Sequence, residues 1–136
     1  MAREVCAREG ARLTPLREQV LTIVWQSHRP SGAYDVLDKL AATHKSARPP
    51  TVYRALDFLL SLGLIHKIES LNAYLGCAQV GPAHDGVFLI CRACGDAQEL
   101  AGLPVETTLS KVVTDTGFKP EHRTIELTGL CAQCAP

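Results

Sequence analysis

The chain has 136 residues, of which 46% are hydrophobic and 21% are charged, as in ordinary soluble globular proteins of one domain or two very small ones. Lys plus Arg and Asp plus Glu number 14 each, so the total charge excludes a strongly basic or acidic protein. Residues 1–76 carry 10 basic and 7 acidic side chains, whereas residues 77–136 carry 4 and 7. The first part therefore suits an anionic partner slightly better than the second.

The sequence contains no apolar run near the roughly 18 residues that cross a bilayer. Its first residues, "MAREVCAREGARL", have no apolar segment typical of a signal peptide. We therefore predict a cytoplasmic protein with no membrane partner. Thiols stay reduced in that compartment, so the six cysteines are more readily metal ligands than disulfides.

Three helices are predicted in the first third of the chain. The first lies in "LTPLREQVLTIVWQSHRP", with Thr14 as its cap, Pro15 in its first turn and Pro30 as its stop. The second lies in "SGAYDVLDKLAATHK". The third begins at the Pro49–Pro50 pair and ends at Gly63, a natural C-cap. Three short helices in this order indicate a helix-turn-helix unit.

The segment "LIHKIESLNAYLGC" then changes from helical to strand periodicity. Two short strands flank a turn that contains Ser70 and Asn72. A hairpin directly after a recognition-type helix is a wing. We therefore predict a winged-helix DNA-binding domain over residues 1–78.

The segment "VGPAHDG" has the composition of a linker and predicts a hinge over residues 79–85. Residues 86–136 then predict strands in "VFLIC", "DAQELAG" and "FKPEHRTIELTGLC", with a helix in "LPVETTLSKVVTDTG" between the second and third. The fold class is α+β. This second unit has a thin core, so it needs a metal, a partner subunit or both.

Two C-x-x-C pairs lie in the second unit, with 36 residues between them. They are Cys91 with Cys94, and Cys131 with Cys134. Four thiolates form a closed tetrahedral zinc site, which is structural because it leaves no open position. The alternative is two unrelated pairs of redox or buried cysteines.

Four further residues with zinc-binding side chains lie on both sides of the predicted hinge. His66 and Cys77 belong to opposite arms of the hairpin, His84 to the linker and Glu99 to the second unit. Together they offer a plausible four-coordinate set, although a single histidine is more often an ordinary surface or core residue. An ion bound by all four would set the angle between the two units.

The motifs "RLTPLREQVL", "PPTVYRALDFLLSLGLIHKIES", "FLICRACG" and "TIELTGLCAQC" occur in this order over nearly the whole chain. With them the sequence resembles the ferric uptake regulator family of bacterial metal-sensing repressors, and within it the zinc uptake regulator branch. The region before the first C-x-x-C has one histidine, unlike the His-rich linker of the iron branch. The resemblance implies a winged-helix domain, a hinge and an α/β dimerisation domain with a four-Cys structural zinc.

The resemblance also implies ligands for the regulatory zinc, namely His66, Cys77, His84 and Glu99. The expected cofactor is thus zinc, two per subunit. Glu106 and His122 fall at positions of a further metal site in some members of the family. The other ligands of that site are missing here, and the simpler interpretation of His122 is a polar strand residue or a hydrogen-bonded imidazole.

DNA contacts are predicted on the third helix, whose first turns enter the major groove in such folds. Arg54 is the expected base reader, because arginine bonds guanine in bidentate fashion. Tyr53 suits a thymine methyl or a phosphate, and Thr51 suits a phosphate. The resemblance adds Tyr34. Weaker candidates are Arg17, Lys45, Arg48 and Lys67, and each of these side chains also fits a solvated surface.

The predicted function is zinc-responsive repression of zinc-uptake genes by a homodimer on palindromic operator DNA, without a small-molecule substrate. A sensor of iron, manganese or peroxide is the alternative within the same family. Cys77 argues against it, because thiolate favours zinc over iron(II). An enzyme is not expected, since the sequence lacks H-E-x-x-H, G-x-S-x-G and a phosphate-binding glycine loop.

Overall fold

The computed structural model describes residues 1–27, 29–78, 86–100, 105–121 and 123–136. Its helices are α1 (Ala2–Arg8), α2 (Pro15–Gln26), α3 (Ala33–Leu40), α4 (Pro49–Ser61) and α5 (Val105–Asp115). Its strands are β1 (Ile65–Ile68), β2 (Ala73–Gly76), β3 (Val87–Cys91), β4 (Ala97–Leu100) and β5 (Ile125–Gly129). The predicted α+β class is confirmed.

Helix α2 begins where the sequence predicts, because the Thr14 hydroxyl accepts a hydrogen bond from the backbone N–H of Arg17 at 3.3 Å. Its predicted end at Pro30 is wrong. The helix ends at Gln26, and Ser27 is already extended. The Ser27 hydroxyl donates to the Arg29 carbonyl at 2.7 Å, a local bond that competes with helical pairing.

Helix α1 is absent from the sequence-based prediction. It has seven residues, too few for a helix that is stable by itself. Val5 and Cys6 bury their side chains in the helical core, which supplies the missing stability. Packing against the core therefore stabilises this helix. Its mixed charge pattern gives no signal from which the helix could be predicted.

The remaining helices complete a compact core around α4. Helix α3 ends at Leu40, earlier than the predicted segment, whereas α4 begins at Pro49 as predicted. Gly63 adopts φ +67°, which confirms its role in ending α4. The fully buried aliphatic residues at the centre of this core are Val20, Val24, Val36, Leu40, Val52, Leu56 and Leu59.

The predicted hairpin is confirmed. Strands β1 and β2 pair antiparallel from Ile65 opposite Gly76 to Ile68 opposite Ala73. The connection is a single 3-10 turn (Glu69–Leu71) followed by Asn72 in the left-handed region. Ser31 pairs with Tyr74 through two backbone hydrogen bonds of 2.8 and 2.9 Å, which ties the hairpin to the entrance of α3.

The second sheet has the order β4-β3-β5. Strand β3 is antiparallel to β4 and parallel to β5, and the parallel pair requires the crossover that contains α5. The predicted apolar face of α5 does not pack fully inward, because Leu109 and Val112 are 38% and 58% exposed. The predicted hinge, residues 79–85, lies outside the described residues, so the division into two domains stays a prediction.

The hairpin lies against one face of the second sheet. Ile68, Phe88 and Ile90 form a small buried cluster with Leu75 and Ala97 packed on it. Two of these residues come from the hairpin and three from β3 and β4. Within the described parts of the chain, no helix is long and apolar enough to cross a membrane.

Candidate metal centres and nucleic-acid interface

The four cysteines of the two C-x-x-C pairs converge at one end of the second sheet. Cys91 ends β3, and Cys131 follows the end of β5 with one residue between them. The sulfurs of Cys91, Cys94, Cys131 and Cys134 all lie within 4.8 Å of one another. Thiolates about 2.3 Å from one tetrahedral zinc lie about 3.8 Å apart, and the Cys94 and Cys131 sulfurs are 3.9 Å apart. The donor set and spacing fit zinc.

The close packing of the four cysteines shifts the pKa values of their thiols in opposite directions. Hydrogen bonds from the backbone N–H groups of Cys94 and Cys131 lower the pKa of Cys91 to about 6. Hydrogen bonding with the neighbouring sulfurs of Cys131 and Cys91 raises the pKa of Cys134 to about 12. One thiolate thus forms readily while another resists ionisation beside it. A bound divalent cation removes this conflict, because it favours the charged form of all four.

A second cluster joins the hairpin to the second sheet. The Nε2 atom of His66 lies 3.1 Å from one carboxylate oxygen of Glu99, and the Cys77 sulfur lies 3.8 Å from the other. The Cys77 residue is fully buried, and the Glu99 side chain is only 5% exposed. Phe88 covers the His66 ring edge-on, with 5.3 Å between the ring centres. Three different donor types therefore share one nearly dry site.

This cluster fits a transition metal. The ligand atoms of His66, Cys77 and Glu99 lie within 4.8 Å of one another. Nitrogen, sulfur and oxygen donors bound to one tetrahedral zinc lie about 3.3–3.8 Å apart. The distance from Cys77 to Glu99 is 3.8 Å, within this range, and the distance from His66 to Glu99 is 3.1 Å, slightly below it. The structure thus brings together three of the four predicted regulatory ligands. His84 lies outside the described residues, and its place in the set stays a prediction.

The possible third metal site cannot be built from the structure's described side chains. His122 lies outside the described residues. Glu106 belongs to α5, but its side chain is not among those described. A metal site at Glu106 and His122 therefore stays a possibility raised by the sequence alone.

The predicted DNA-reading residues lie on the two helices α3 and α4. Tyr53 and Arg54 are exposed on the first two turns of α4, and Thr51 is half-buried just before them. Tyr34 is 66% exposed on α3 and lines a shallow cleft together with Tyr53. The two tyrosines thus lie side by side on neighbouring helices, with Arg54 exposed next to Tyr53 on α4, and side chains of these types are suited to contacts with DNA.

Three of the weaker DNA candidates, Arg17, Arg48 and Lys67, make contacts within the protein. The guanidinium of Arg17 stacks on the Phe58 ring at 3.8 Å and donates to the Arg12 carbonyl at 2.7 Å. Arg48 donates to the carbonyls of Lys45 and Ala47. These contacts fix the position of both cations. Lys45 is exposed and Lys67 half-buried, and Lys67 lies 3.6 Å from the Glu69 carboxylate.

Two polar contacts between the units are not evident in the sequence. Arg29 lies 3.4 Å from the Asp96 carboxylate, and the backbone N–H of Ser70 donates to the Glu126 carboxylate at 3.3 Å. Alternation in "TIELTG" predicts that Glu126 and Thr128 share a face of β5. The alternation does not predict which element covers that face, because Ser70, which contacts Glu126, is 56 residues away in the chain.

The winged helix shares a cluster of three potential metal ligands with a cysteine-rich sheet, and this combination is typical of metal-responsive DNA-binding proteins. The family model described as the ferric uptake regulator family matches residues 8–128. The chain belongs to this family, as its motifs predicted.

Within the family, the chain resembles zinc uptake regulators. It is 42% identical to the zinc uptake regulation protein of Escherichia coli (strain K12) over 134 residues, which are 98% of this chain and 78% of that protein. The predicted resemblance to this branch is confirmed.

Solved structures give the same result. A zinc uptake regulator complexed with zinc and DNA matches with a TM-score of 0.94 at 42% identity, covering 98% of this chain and 89% of that one. The holo form of XcZur matches with a TM-score of 0.88 at 42% identity, with 96% and 92% covered. The apo form of XcZur matches with a TM-score of only 0.54 at 39% identity, with 99% and 93% covered.

Proposed function

We propose that this protein is a zinc-responsive transcriptional repressor that binds palindromic operators as a homodimer and controls zinc-uptake genes. The single observation that carries the proposal is the cluster of His66, Cys77 and Glu99. It joins the DNA-reading unit to the second sheet through donors that suit zinc. Binding of a metal at this cluster would make the position of the reading helix depend on the metal concentration.

We assign two zinc ions to each subunit. The structural ion belongs to Cys91, Cys94, Cys131 and Cys134, which close the second unit at the end of its sheet. The regulatory ion belongs to His66, Cys77, Glu99 and His84. The thiol of Cys77 supports zinc over iron or manganese at this position, because soft sulfur ligands are less suited to those ions.

The donors of the regulatory site explain how the switch works. His66 and Cys77 lie on the hairpin, which follows α4 directly, whereas Glu99 lies on β4. When bound, zinc supplies one cation that these donors share. His66 and Cys77 then hold the hairpin against the sheet face around Glu99, and α4 takes a defined position relative to the second unit.

The energies are sufficient for a switch. A shift from 1:99 to 99:1 between two arrangements requires about 5.5 kcal/mol of differential binding. Apparent zinc-binding energies reach about 10–16 kcal/mol in small zinc-dependent folds. The two XcZur matches support two arrangements in the family, since this chain resembles the holo form far more than the apo form at similar identity.

We propose the exposed apolar surface of the second unit as the contact with a second copy of the chain. Leu127, Val112 and Phe118 are 56%, 58% and 66% exposed there. A palindromic operator needs two reading helices at a fixed separation, roughly one turn of DNA or a near variant. A twofold contact on this surface provides the fixed separation of the two reading helices. The same contact covers apolar area that the single chain leaves exposed to water.

The proposed function is tested by binding to candidate promoter DNA while free zinc is titrated with a chelator. We expect tight binding to a palindromic site only above a threshold of free zinc, with two zinc ions per subunit in the bound form. DNA must tighten zinc binding by the same factor, because the two equilibria are linked. Operator binding that is independent of zinc would contradict the proposal.

Arg54→Ala is expected to reduce the preference for operator over random DNA by about 10–100-fold, since one bidentate base contact contributes about 1–3 kcal/mol of discrimination. Zinc content and dimer mass should not change, because Arg54 is exposed on α4 away from both metal clusters. Competition binding with specific and random duplexes measures the effect. Lys39→Ala, an exposed cation on α3, serves as a control for charge. Unchanged selectivity in Arg54→Ala would refute the role of this side chain.

A further inference from the structure

The hairpin rests on a single row of residues that crosses the second sheet. In the β4-β3-β5 register, Phe88 lies opposite Glu99 on one side and opposite Glu126 on the other. Residues in one such row point to the same face of a sheet. Each of the three contacts the hairpin region, so we call Glu99, Phe88 and Glu126 the seat row.

The members of the seat row contact different parts of the hairpin. Glu99 lies next to His66 and Cys77, towards the open end of the hairpin. Phe88 packs on Ile68 and on the His66 ring. Glu126 accepts a hydrogen bond from the Ser70 N–H, which lies in the turn at the closed end. The two carboxylates are two strands apart, or about 10 Å.

A metal site at one end of a hairpin restrains the other end less. Apolar packing of Ile68 on Phe88 holds the middle of the hairpin but has no preferred direction, whereas a hydrogen bond at the turn, about 10 Å from the metal site, restricts rotation further. We propose that Glu126 is a positioning residue for the zinc switch. By anchoring the turn of the hairpin at Ser70, it favours the seated arrangement that the regulatory ligands need. This inference rests on the proposed function, and it adds a residue that does not bind the metal.

The anchor affects the zinc response in a specific way. The contact between Ser70 and Glu126 exists only when the hairpin is seated on the sheet. An apparent dissociation constant rises as the fraction of binding-competent protein falls. Loss of the anchor therefore raises the free zinc needed to seat the hairpin, and saturating zinc restores operator binding.

The test compares Glu126→Ala, Glu126→Gln and the control Glu121→Ala, which removes an exposed carboxylate from the same unit. We expect Glu126→Ala to raise the free zinc at half-maximal operator binding about 5-fold, the effect of one typical hydrogen bond. Glu126→Gln keeps an acceptor oxygen and should restore most of the response. Glu121→Ala should match the wild type. All variants should bind two zinc ions at saturation.

Hydrogen exchange at the Ser70 amide provides a direct reading of the anchor in the zinc-loaded protein. Exchange should be faster in Glu126→Ala than in the wild type, and close to wild type in Glu126→Gln. A zinc midpoint in Glu126→Ala equal to that of the wild type would overturn the inference, as would a failure of Glu126→Gln to restore it. A wild-type protein with no zinc-dependent operator binding would instead refute the proposed function.

Discussion

Cys77→Ser is expected to abolish the zinc response of operator binding while the protein stays folded and dimeric. The Cys77 sulfur lies 3.8 Å from the Glu99 carboxylate in a fully buried position, so it would be the soft donor of the proposed regulatory site. Loss of a partner that only supports a metal ligand already costs 10–100-fold in affinity. Removal of the ligand itself should cost about 100-fold or more, and one zinc per subunit should remain.

Zinc per subunit and operator affinity against buffered free zinc measure this result. Cys6→Ala is a matched control, since Cys6 is also a buried thiol but packs in the helical core and is not one of the three clustered ligands. It should keep two zinc ions and the normal threshold. A Cys77→Ser protein with the wild-type threshold would show that the switch does not depend on this site.

Cys94→Ser is expected to have the largest effect on stability. The four-Cys site closes a unit that, among its described residues, buries few apolar side chains outside β3 and leaves others partly exposed, including Leu109, Leu127 and Leu130. Apparent binding energies of structural zinc are about 10–16 kcal/mol, whereas whole domains are stable by only about 5–15 kcal/mol. Loss of this ion should therefore unfold the second unit and abolish the dimer.

Circular dichroism, zinc content and sedimentation measure this outcome together. Ala93→Ser introduces the same side chain at the neighbouring position of the same C-x-x-C turn, where the residue is exposed. It should remain folded with two zinc ions per subunit. A Cys94→Ser variant that is a folded dimer with a normal melting temperature would exclude a structural role for the four-Cys site.

Local chemistry in the sequence was enough to predict most elements. Thr14 and Pro15 mark the start of α2, and Pro49 and Gly63 bound α4, because caps and proline act within one turn of chain. The end of α2 was predicted too late. The hydrogen bond from Ser27 to Arg29 follows the end of the helix, but a serine in the sequence is a weaker stop signal than the proline at position 30. Helix α1 was missed because its stability comes from tertiary contacts, such as those of Val5 and Cys6 with the core.

The two candidate metal sites also differ in how far the sequence predicts them. Two C-x-x-C pairs predict a four-thiolate site by themselves, since each pair already places two sulfurs side by side. The regulatory set was a proposal from scattered residues, strengthened by the family motifs. Its described members come from β1, the residue after β2, and β4, so only packing of the hairpin on the sheet brings them within 4.8 Å.

The sequence by itself determined the helices and hairpin of the winged helix, the pairing of the four cysteines and the family, and it predicted which residues could bind zinc and DNA. These depend on side-chain type and on spacing over a few residues. Only the tertiary structure decided that Glu99, Phe88 and Glu126 form one row beneath the hairpin. That row depends on strand register and on contacts up to 56 residues apart in the chain, such as the one between Ser70 and Glu126. No local pattern encodes such contacts.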